Sequence, residues 1–405
     1  MAAASGLLAY EVADLCLGKP ALKSLSVSAT IADALSALKS SDDNCISVWS
    51  CDHTKKTSNF ANGGDDSCVC IGKLCMVDII CYLCREDNLE SPRSALKSPV
   101  SALLSTVPGQ VRHVEPSSSL VEAIDLILQG AQNLVVPIKT RFTSSSKRKF
   151  LQKSSSITPT IHNGREFCWL TQEDVIRFLL NSIGLFSPIP TLSVERLGLI
   201  TTDFSSIPYH SRASSATGAI LDSLNNQTSV AVVDDEGILV GEISPFTLAC
   251  CDETVAAAIA TLTAGDLMSY IDCGGPPEDI FRAVTERLKQ RNLMGILEEF
   301  MTDTSSSDSS SSLSSSDEDL PSPNTTLISS GRYSRSSSYS ARIVRRAEAI
   351  VCHPGSSLVA VMMQAIAHRV SYVWVIEEDG SVVGIVTFPN ILQVFREYLD
   401  SSTWV

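Results

Sequence analysis

The chain has 405 residues, of which 44% are hydrophobic, and a formal net charge of -14 at pH 7. A charge of this sign is unfavourable for binding nucleic-acid phosphates or an anionic membrane surface, since both attract Lys and Arg. No apolar run approaches the roughly 18 residues of a membrane-spanning helix, and residues 2–17 lack the basic start of a signal peptide. We therefore expect a globular protein of the cytosol or nucleus, with no nucleic-acid and no membrane partner.

The first predicted unit covers about residues 10–85, in the order strand, helix, strand, strand. Thr30 precedes apolar residues at helical spacing, which predicts a helix over 30–38 with Thr30 as its N-cap. Strands are predicted at 46–49 and 69–71, and a long polar loop separates them.

Five of the 13 cysteines cluster in the second half of this unit. An odd number of cysteines, scattered over a long chain, does not indicate a disulfide framework. One interpretation of the cluster is a zinc or redox site. The interpretation we favour is burial, because these cysteines fall on one strand face and on an apolar helix, and cysteine is among the most buried residue types. The five are Cys68, Cys70, Cys75, Cys81 and Cys84.

The second unit covers about residues 100–185. Serines at 117–119 provide a cap for a helix, Leu120–Leu128, and a strand over 134–138 follows. The stretch 139–165 is rich in Ser, Lys and Arg. It predicts a solvated loop that kinases modify, and a phosphate-binding patch is the alternative.

The third unit covers about residues 194–260. Its helix is predicted over 216–224, and an uninterrupted hairpin follows over 230–243. The acidic and glycine residues at 234–237 are typical of a tight turn.

The fourth unit covers about residues 265–400 and is interrupted. Residues 277–300 predict one amphipathic helix. Residues 302–342 are mostly Ser with few large apolar residues, which predicts a disordered insertion, because too little apolar surface is available to offset the ordering entropy. Since one unit cannot bury its own apolar face, we predict two paired domains, residues 10–190 and 192–400.

These residues resemble proteins built from cystathionine-β-synthase-type (CBS) repeats. The resemblance rests on the opening Asp266-Leu-Met and on the runs Gly241-Glu-Ile-Ser244 and Gly384-Ile-Val-Thr387. It implies an α/β (α+β) fold with four βαββα CBS repeats in two paired-repeat (Bateman) modules. The layout is similar to that of a plant branch of the family and to the γ regulatory subunit of the AMP-activated/SNF1-related kinase. Such clefts bind adenosyl compounds such as AMP, ATP or S-adenosylmethionine.

The resemblance also implies the site residues. In the family, a Thr or Ser ends the last strand, and an Asp three residues later binds the ribose hydroxyls. This pair is intact at Thr171 and Asp174. The first unit keeps the acid, Asp78, but has Cys75 in place of the hydroxyl.

The last two units depart further from the pattern. Ser244 is followed by Thr247, and Thr387 by Asn390, whose amide can bind ribose without charge assistance. Arg369, at the end of a predicted helix, matches a family position that often contacts phosphate. A cation that complements the helix dipole is the other interpretation of Arg369.

The sequence contains no nucleophile elbow, phosphate-binding Gly-rich loop or zinc-protease motif. We therefore expect a non-enzymatic regulatory protein without a catalytic cofactor or metal. It would bind an adenosyl ligand between repeats and modulate a protein partner of the SNF1-related kinase class. Two alternatives stay open: a ligand-free scaffold controlled by phosphorylation of the Ser-rich insertion, and a thiol-based redox regulator.

Overall fold

The structure is a computed structural model. The residues that it describes are 9–41, 43–51, 68–104, 109–138, 161–272, 278–301 and 347–403. The Ser-rich insertion predicted at 302–342, and most of the loop predicted at 139–165, lie outside the described residues.

Twelve strands in the described part of the chain form four sheets, each with three strands that are consecutive in sequence. In every sheet the first strand pairs parallel with the second and the second pairs antiparallel with the third. A helix crosses over between the first two strands of each sheet, and another helix follows the third strand. The prediction of four βαββα repeats is therefore confirmed. The strands are β1 Ser24–Ser26, β2 Cys45–Trp49, β3 Cys70–Cys75, β4 Val111–His113, β5 Asn133–Ile138, β6 Glu166–Thr171, β7 Ser206–Pro208, β8 Val230–Val233, β9 Leu239–Ile243, β10 Val351–Cys352, β11 Tyr372–Ile376 and β12 Val382–Thr387.

We number the repeats 1 to 4 by these sheets. The helices of the described residues are α1 Val12–Leu15, α2 Ile31–Ser40, α3 Met76–Leu83, α4 Glu86–Glu90, α5 Pro92–Leu96, α6 Leu120–Leu128, α7 Gln172–Asn181, α8 Thr217–Asn226, α9 Pro245–Leu248, α10 Val255–Thr261, α11 Ala264–Asp272, α12 Glu278–Gln290, α13 Gly295–Met301, α14 Leu358–His368 and α15 Phe388–Thr403.

Local sequence sets where the main helices begin. Thr30 and Ser119 act as N-caps, because each hydroxyl accepts from the backbone N–H three residues later. In α2 the Asp33 carboxylate also accepts from the Thr30 backbone N–H, which completes a capping box. The predicted N-cap Thr30 and the predicted helix Leu120–Leu128 are confirmed.

The repeats pack through both their sheets and their helices. The sheets of repeats 1 and 2 meet at β3 and β4, where Trp49, Val135 and Phe167 form a small core. The helices instead pack repeat 1 on repeat 3 and repeat 2 on repeat 4. Helix α3 of repeat 1 contacts α8 and α10 of repeat 3. Helices α6 and α7 of repeat 2 contact α14 and α15 of repeat 4. Two large apolar cores result. Each contains residues from the first module (repeats 1 and 2) and from the second module (repeats 3 and 4).

Each module also exchanges its leader segment, which we define as the residues just before its first strand. Leader 1 (residues 9–23) bridges to repeat 2 at Glu11 and Ser119, and leader 3 (residues 192–205) bridges to repeat 4 at Ser193 and Ser357. The leaders therefore complete the neighbouring repeat rather than their own.

The prediction of a single amphipathic helix over 277–300 is wrong, because the structure has two helices there, α12 and α13. The break lies at Asn292, which adopts a left-handed φ of 56°. The Leu293 backbone N–H then donates to the carbonyl of Leu288, so the chain turns and buries both leucines against repeats 1 and 3. The apolar residues of this segment are part of the protein's own core.

None of the helices among the described residues combines the length and the apolar composition that a membrane span requires.

Candidate functional site

The site predicted in repeat 2 lies where β6 ends and α7 begins. The Thr171 backbone N–H and hydroxyl both donate to Asp174 Oδ2, each at 2.7 Å, and the Asp174 N–H donates back to the Thr171 hydroxyl at 3.4 Å. The pair thus forms the capping box of α7. Within the described residues, each contact of this carboxylate uses Oδ2, which leaves Oδ1 to accept from another donor.

A cation from a different repeat completes this site. Lys19 of leader 1 places Nζ 2.6 Å from Asp174 Oδ2, and the two side chains are 21% and 24% exposed. The pair is half-buried, so water can reach it and the ion pair can exchange partners. Sequence reasoning missed Lys19, because leader 1 precedes repeat 1 yet contributes to the site of repeat 2.

The predicted site residues of repeat 4 have the same arrangement without charge. The Thr387 N–H donates to Asn390 Oδ1 at 3.1 Å, and the Thr387 hydroxyl donates to the same oxygen. From leader 3, the Thr201 hydroxyl donates to Asn390 Oδ1 at 3.4 Å. Thr201 therefore occupies the position that Lys19 occupies in the first module.

Arg369 lies at the C-terminal end of α14 in a left-handed conformation, with φ of 55°. Its side chain is exposed. Among the described contacts, no hydrogen bond or ion pair joins it to Thr387 or Asn390. Its role as a phosphate ligand stays a prediction.

Asp78, the acid of repeat 1, also caps its helix. Its Oδ2 accepts from the Cys75 backbone N–H at 2.7 Å and from the Cys75 thiol at 3.1 Å. Burial raises the pKa of Asp78 to about 6, although the nearby Lys73 ammonium opposes this shift. The Lys73 ammonium itself donates to Asn133 Oδ1 of repeat 2 at 3.1 Å. Repeat 1 therefore places a weakly acidic carboxyl within the electrostatic influence of the Lys73 ammonium.

Repeat 3 is closed. Ser244 and Thr247, which correspond to the hydroxyl and acid positions, are fully buried. Next to them the buried Glu242 carboxylate accepts from Tyr372 Oη at 2.9 Å and from Trp374 Nε1 at 2.8 Å, both from β11 of repeat 4. Sequence reasoning missed Glu242, although an acid between apolar residues on a predicted strand was a visible signal.

The predicted cysteine cluster is divided by the fold. Cys81 is buried in the core, and burial raises the pKa of its thiol to about 12, which makes it a poor nucleophile at neutral pH. The Cys70 thiol donates to the Gly72 carbonyl. Its backbone N–H donates to His113 Nε2 at 3.0 Å, and burial lowers the pKa of His113. Cys68 lies with Cys51 and His162 in a group of three possible metal ligands, and sequence reasoning did not single out His162.

Comparison with known proteins shows which family has this architecture. The family model described as CBS domain matches residues 342–397. The chain is 50% identical to CBS domain-containing protein CBSX5 from Arabidopsis thaliana, over 98% of this chain and 100% of that protein. It is 19% identical to SNF1-related protein kinase regulatory subunit gamma-like PV42b from the same plant, over 98% of each chain.

Among solved structures, the fold is similar to that of protein MJ1225 from Methanocaldococcus jannaschii. The TM-score is 0.50 at 14% identity, and the match covers 95% of this chain and 100% of that one. This likeness supports the fold alone. The 50% identity to CBSX5 over nearly the whole chain shows the family. The chain therefore belongs to the CBS domain-containing proteins, a family of regulatory proteins.

Proposed function

We propose that this chain is a non-enzymatic regulatory protein that binds a phosphorylated adenosyl ligand, such as AMP or ATP, at Lys19, Thr171 and Asp174. Occupancy of this cleft would bias a protein partner of the SNF1-related kinase class. The proposal rests mainly on one observation: a half-buried carboxylate and ammonium, 2.6 Å apart, stand together at the N-terminus of α7.

The two charges suit the two ends of a nucleotide. Asp174 Oδ1 can accept hydrogen bonds from ribose hydroxyls, and the Lys19 ammonium can bind the phosphate. The N-terminus of α7 adds a partial positive charge on the same side. Breaking the existing ion pair costs little, because ion pairs with this exposure contribute about 0–1 kcal/mol.

Ligand binding would also connect parts of the chain. Lys19 belongs to leader 1 and Asp174 to repeat 2, so a nucleotide that contacts both would hold the leader on the neighbouring repeat. The ligand can shift the partner's equilibrium only by its difference in affinity for the two arrangements. The surface shown to the partner would include α1, which lies within leader 1.

Calorimetry of the full-length protein with AMP, ADP, ATP and S-adenosylmethionine tests this proposal. We expect Asp174→Asn to weaken binding at least tenfold, since the amide loses charge assistance. Folding should survive this change, because Asn390 already caps its helix in the same way. The matched control is Glu173→Gln, which alters the adjacent carboxylate that pairs with the exposed Arg177. Absence of heat with all four ligands at millimolar concentration, or equal binding by both variants, would contradict the proposal.

A ligand-free scaffold is the second candidate function. The burial of Ser244 and Thr247 favours it, because a ligand cannot reach either hydroxyl in repeat 3. On this hypothesis, partner binding depends on phosphorylation within 302–342, and the clefts contribute only stability. If deletion of 305–342 abolished partner binding while Asp174→Asn had no effect, this candidate would replace the first.

A further inference from the structure

One group of three metal-ligating side chains comes together in the described part of the chain: Cys51, Cys68 and His162. Their ligand atoms all lie within 4.8 Å of one another. The Cys51 Sγ atom is 3.2 Å from His162 Nδ1. The group is separate from the nucleotide cleft proposed above, and the adenosyl proposal does not use it.

Strand pairing explains how the two cysteines meet. Cys51 follows β2 and Cys68 precedes β3, and these strands are antiparallel neighbours, so their ends lie side by side. A side chain from repeat 2 holds Cys68 in place: Asn163 Oδ1 accepts from the Cys68 N–H at 3.3 Å, and Asn163 Nδ2 donates to the Cys68 carbonyl at 3.4 Å.

A tight turn delivers the histidine. His162 and Arg165 exchange two backbone hydrogen bonds across Asn163 and Gly164, which have φ values of 51° and 72°. Left-handed residues of this kind, Asn followed by Gly, are typical of a two-residue hairpin turn. His162 therefore lies at the start of a hairpin turn of repeat 2 that faces repeat 1.

The imidazole is held in one orientation. Its ring stacks on Trp49 with centroids 3.6 Å apart and an interplanar angle of 4°, and the residue is 3% exposed. Its Nε2 atom is 3.0 Å from Ser24 Oγ. When Nε2–H donates to Ser24, the lone pair of Nδ1 faces the thiols, which is the arrangement that supports metal-bound histidines.

We propose that Cys51, Cys68 and His162 bind one Zn²⁺ ion. Sulfur and imidazole ligands favour zinc among the common divalent ions. Two thiolates and a neutral imidazole balance the charge of the ion, so the complex suits its aromatic surroundings. Binding releases the two thiol protons to solvent.

The Cys51–His162 distance fits this ion with a small shift, and the other two ligand–ligand distances are at most 4.8 Å. In a tetrahedral site with Zn–S about 2.3 Å and Zn–N about 2.0 Å, sulfur and nitrogen stand roughly 3.5 Å apart. The observed 3.2 Å is within a few tenths of an ångström of that value. A cavity of about 350 Å³ beside the group provides an entry path, and Cys68, Asn163 and Arg165 contribute to its lining.

Zinc content of the full-length protein under reducing conditions tests the proposal. After incubation with zinc and removal of the excess, mass spectrometry should find about one zinc per chain. Cys51→Ser, Cys68→Ser and His162→Asn should each lower zinc affinity at least tenfold. Ser24→Ala, which removes the hydrogen bond that orients the ring, should lower it roughly 10–100-fold. The matched controls, Cys45→Ser and Cys250→Ser, should keep wild-type affinity.

A second readout does not depend on variants that might misfold. In the wild type, zinc should slow alkylation of Cys51 and Cys68 but not of the exposed Cys250. Cobalt in place of zinc should give thiolate-to-metal charge-transfer absorption. The proposal is overturned if the reduced protein binds less than about a tenth of an equivalent of zinc, if Cys51→Ser retains wild-type affinity, or if a Cys51–Cys68 disulfide forms and its reduction restores no zinc binding.

Discussion

The cleft formed by Lys19, Thr171 and Asp174 and the cleft formed by Thr201, Thr387 and Asn390 share one backbone arrangement but differ in charge. In both, a leader from another repeat reaches the capping residue of the last helix. The first cleft pairs an acid with an ammonium, whereas the second pairs an amide with a hydroxyl. The change from Asp to Asn thus goes together with a change from Lys to Thr, because a neutral amide does not need a cation beside it.

Repeats 1 and 3 also differ from each other at the acid position. Repeat 1 keeps an acid, Asp78, whose pKa is raised by burial, while repeat 3 has the buried Thr247 at that position. In the second module a buried carboxyl group lies on the strand instead, at Glu242, and it accepts hydrogen bonds from Tyr372 and Trp374. The acids of the first module, Asp78 and Asp174, therefore lie at helix N-termini, whereas the buried acid of the second module, Glu242, joins two repeats.

The largest expected effect concerns Glu242. Glu242→Ala removes the acceptor for three buried donors, those of Ser229, Tyr372 and Trp374. We expect the free energy of unfolding to fall by about 3–5 kcal/mol, because unsatisfied buried donors are costly. Urea denaturation at pH 7 measures this. The control Glu236→Ala, in the exposed turn of the same hairpin, should change stability by less than about 0.5 kcal/mol; equal stability of the two variants would refute the role of Glu242.

The next effect concerns the charged cleft. Lys19→Met should weaken AMP binding roughly 10–100-fold, since one charge-assisted hydrogen bond to phosphate contributes about 1.5–3 kcal/mol. Thr201→Val, the corresponding change in the neutral cleft, should leave the dissociation constant unchanged. Calorimetry compares the two variants, and similar losses in both would show that the clefts do not differ as we propose.

Asp78 makes stability depend on pH. Its pKa is about 6 in the folded protein, against about 3.9 when unfolded, so the folded state binds the proton more tightly. This contribution is complete below about pH 4 and is lost as the pH rises through about 6. Relative to Asp78→Asn, the wild type should therefore lose about 2 kcal/mol between pH 4 and pH 7. Urea titrations of both proteins across this range test the slope, and parallel curves would contradict it.

The smallest expected change in stability, about 0–1 kcal/mol, accompanies the double substitution Thr201→Lys with Asn390→Asp, which adds one half-exposed ion pair. If charge alone separates the two clefts, calorimetry should find a second equivalent of AMP bound. Asn390→Asp alone, which adds the acid without the ammonium, should bind this second equivalent more weakly. A stoichiometry that stays at one in the double variant would show that shape, rather than charge, closes the second cleft.

The repeat architecture could be predicted from sequence because each repeat carries its own local signals. The hydroxyl of Thr30 caps α2, and the acidic turn after β8 closes its hairpin, wherever the rest of the chain lies. The capping pair of Thr171 and Asp174 could be found for the same reason, since its two residues are three positions apart. The division into domains at about residue 190 stays a prediction.

The break between α12 and α13 could not be predicted from the apolar spacing, because both helices keep a continuous apolar stripe. Tertiary packing decided it: Leu288 and Leu293 enter the core shared by repeats 1 and 3 only if the chain turns at Asn292. The burial gained there offsets the left-handed conformation of one residue.

By itself, the sequence determined four βαββα repeats and the capping residues at the ends of their strands, because these depend on neighbours within a few positions. Only the tertiary structure decided which residues from elsewhere complete each site. Lys19 meets Asp174 because leader 1 packs on repeat 2 instead of repeat 1. Glu242 meets Trp374, and Cys51 meets His162, because the sheets of paired repeats pack on each other. Contacts of this kind depend on the burial of large apolar faces, which short-range spacing does not record.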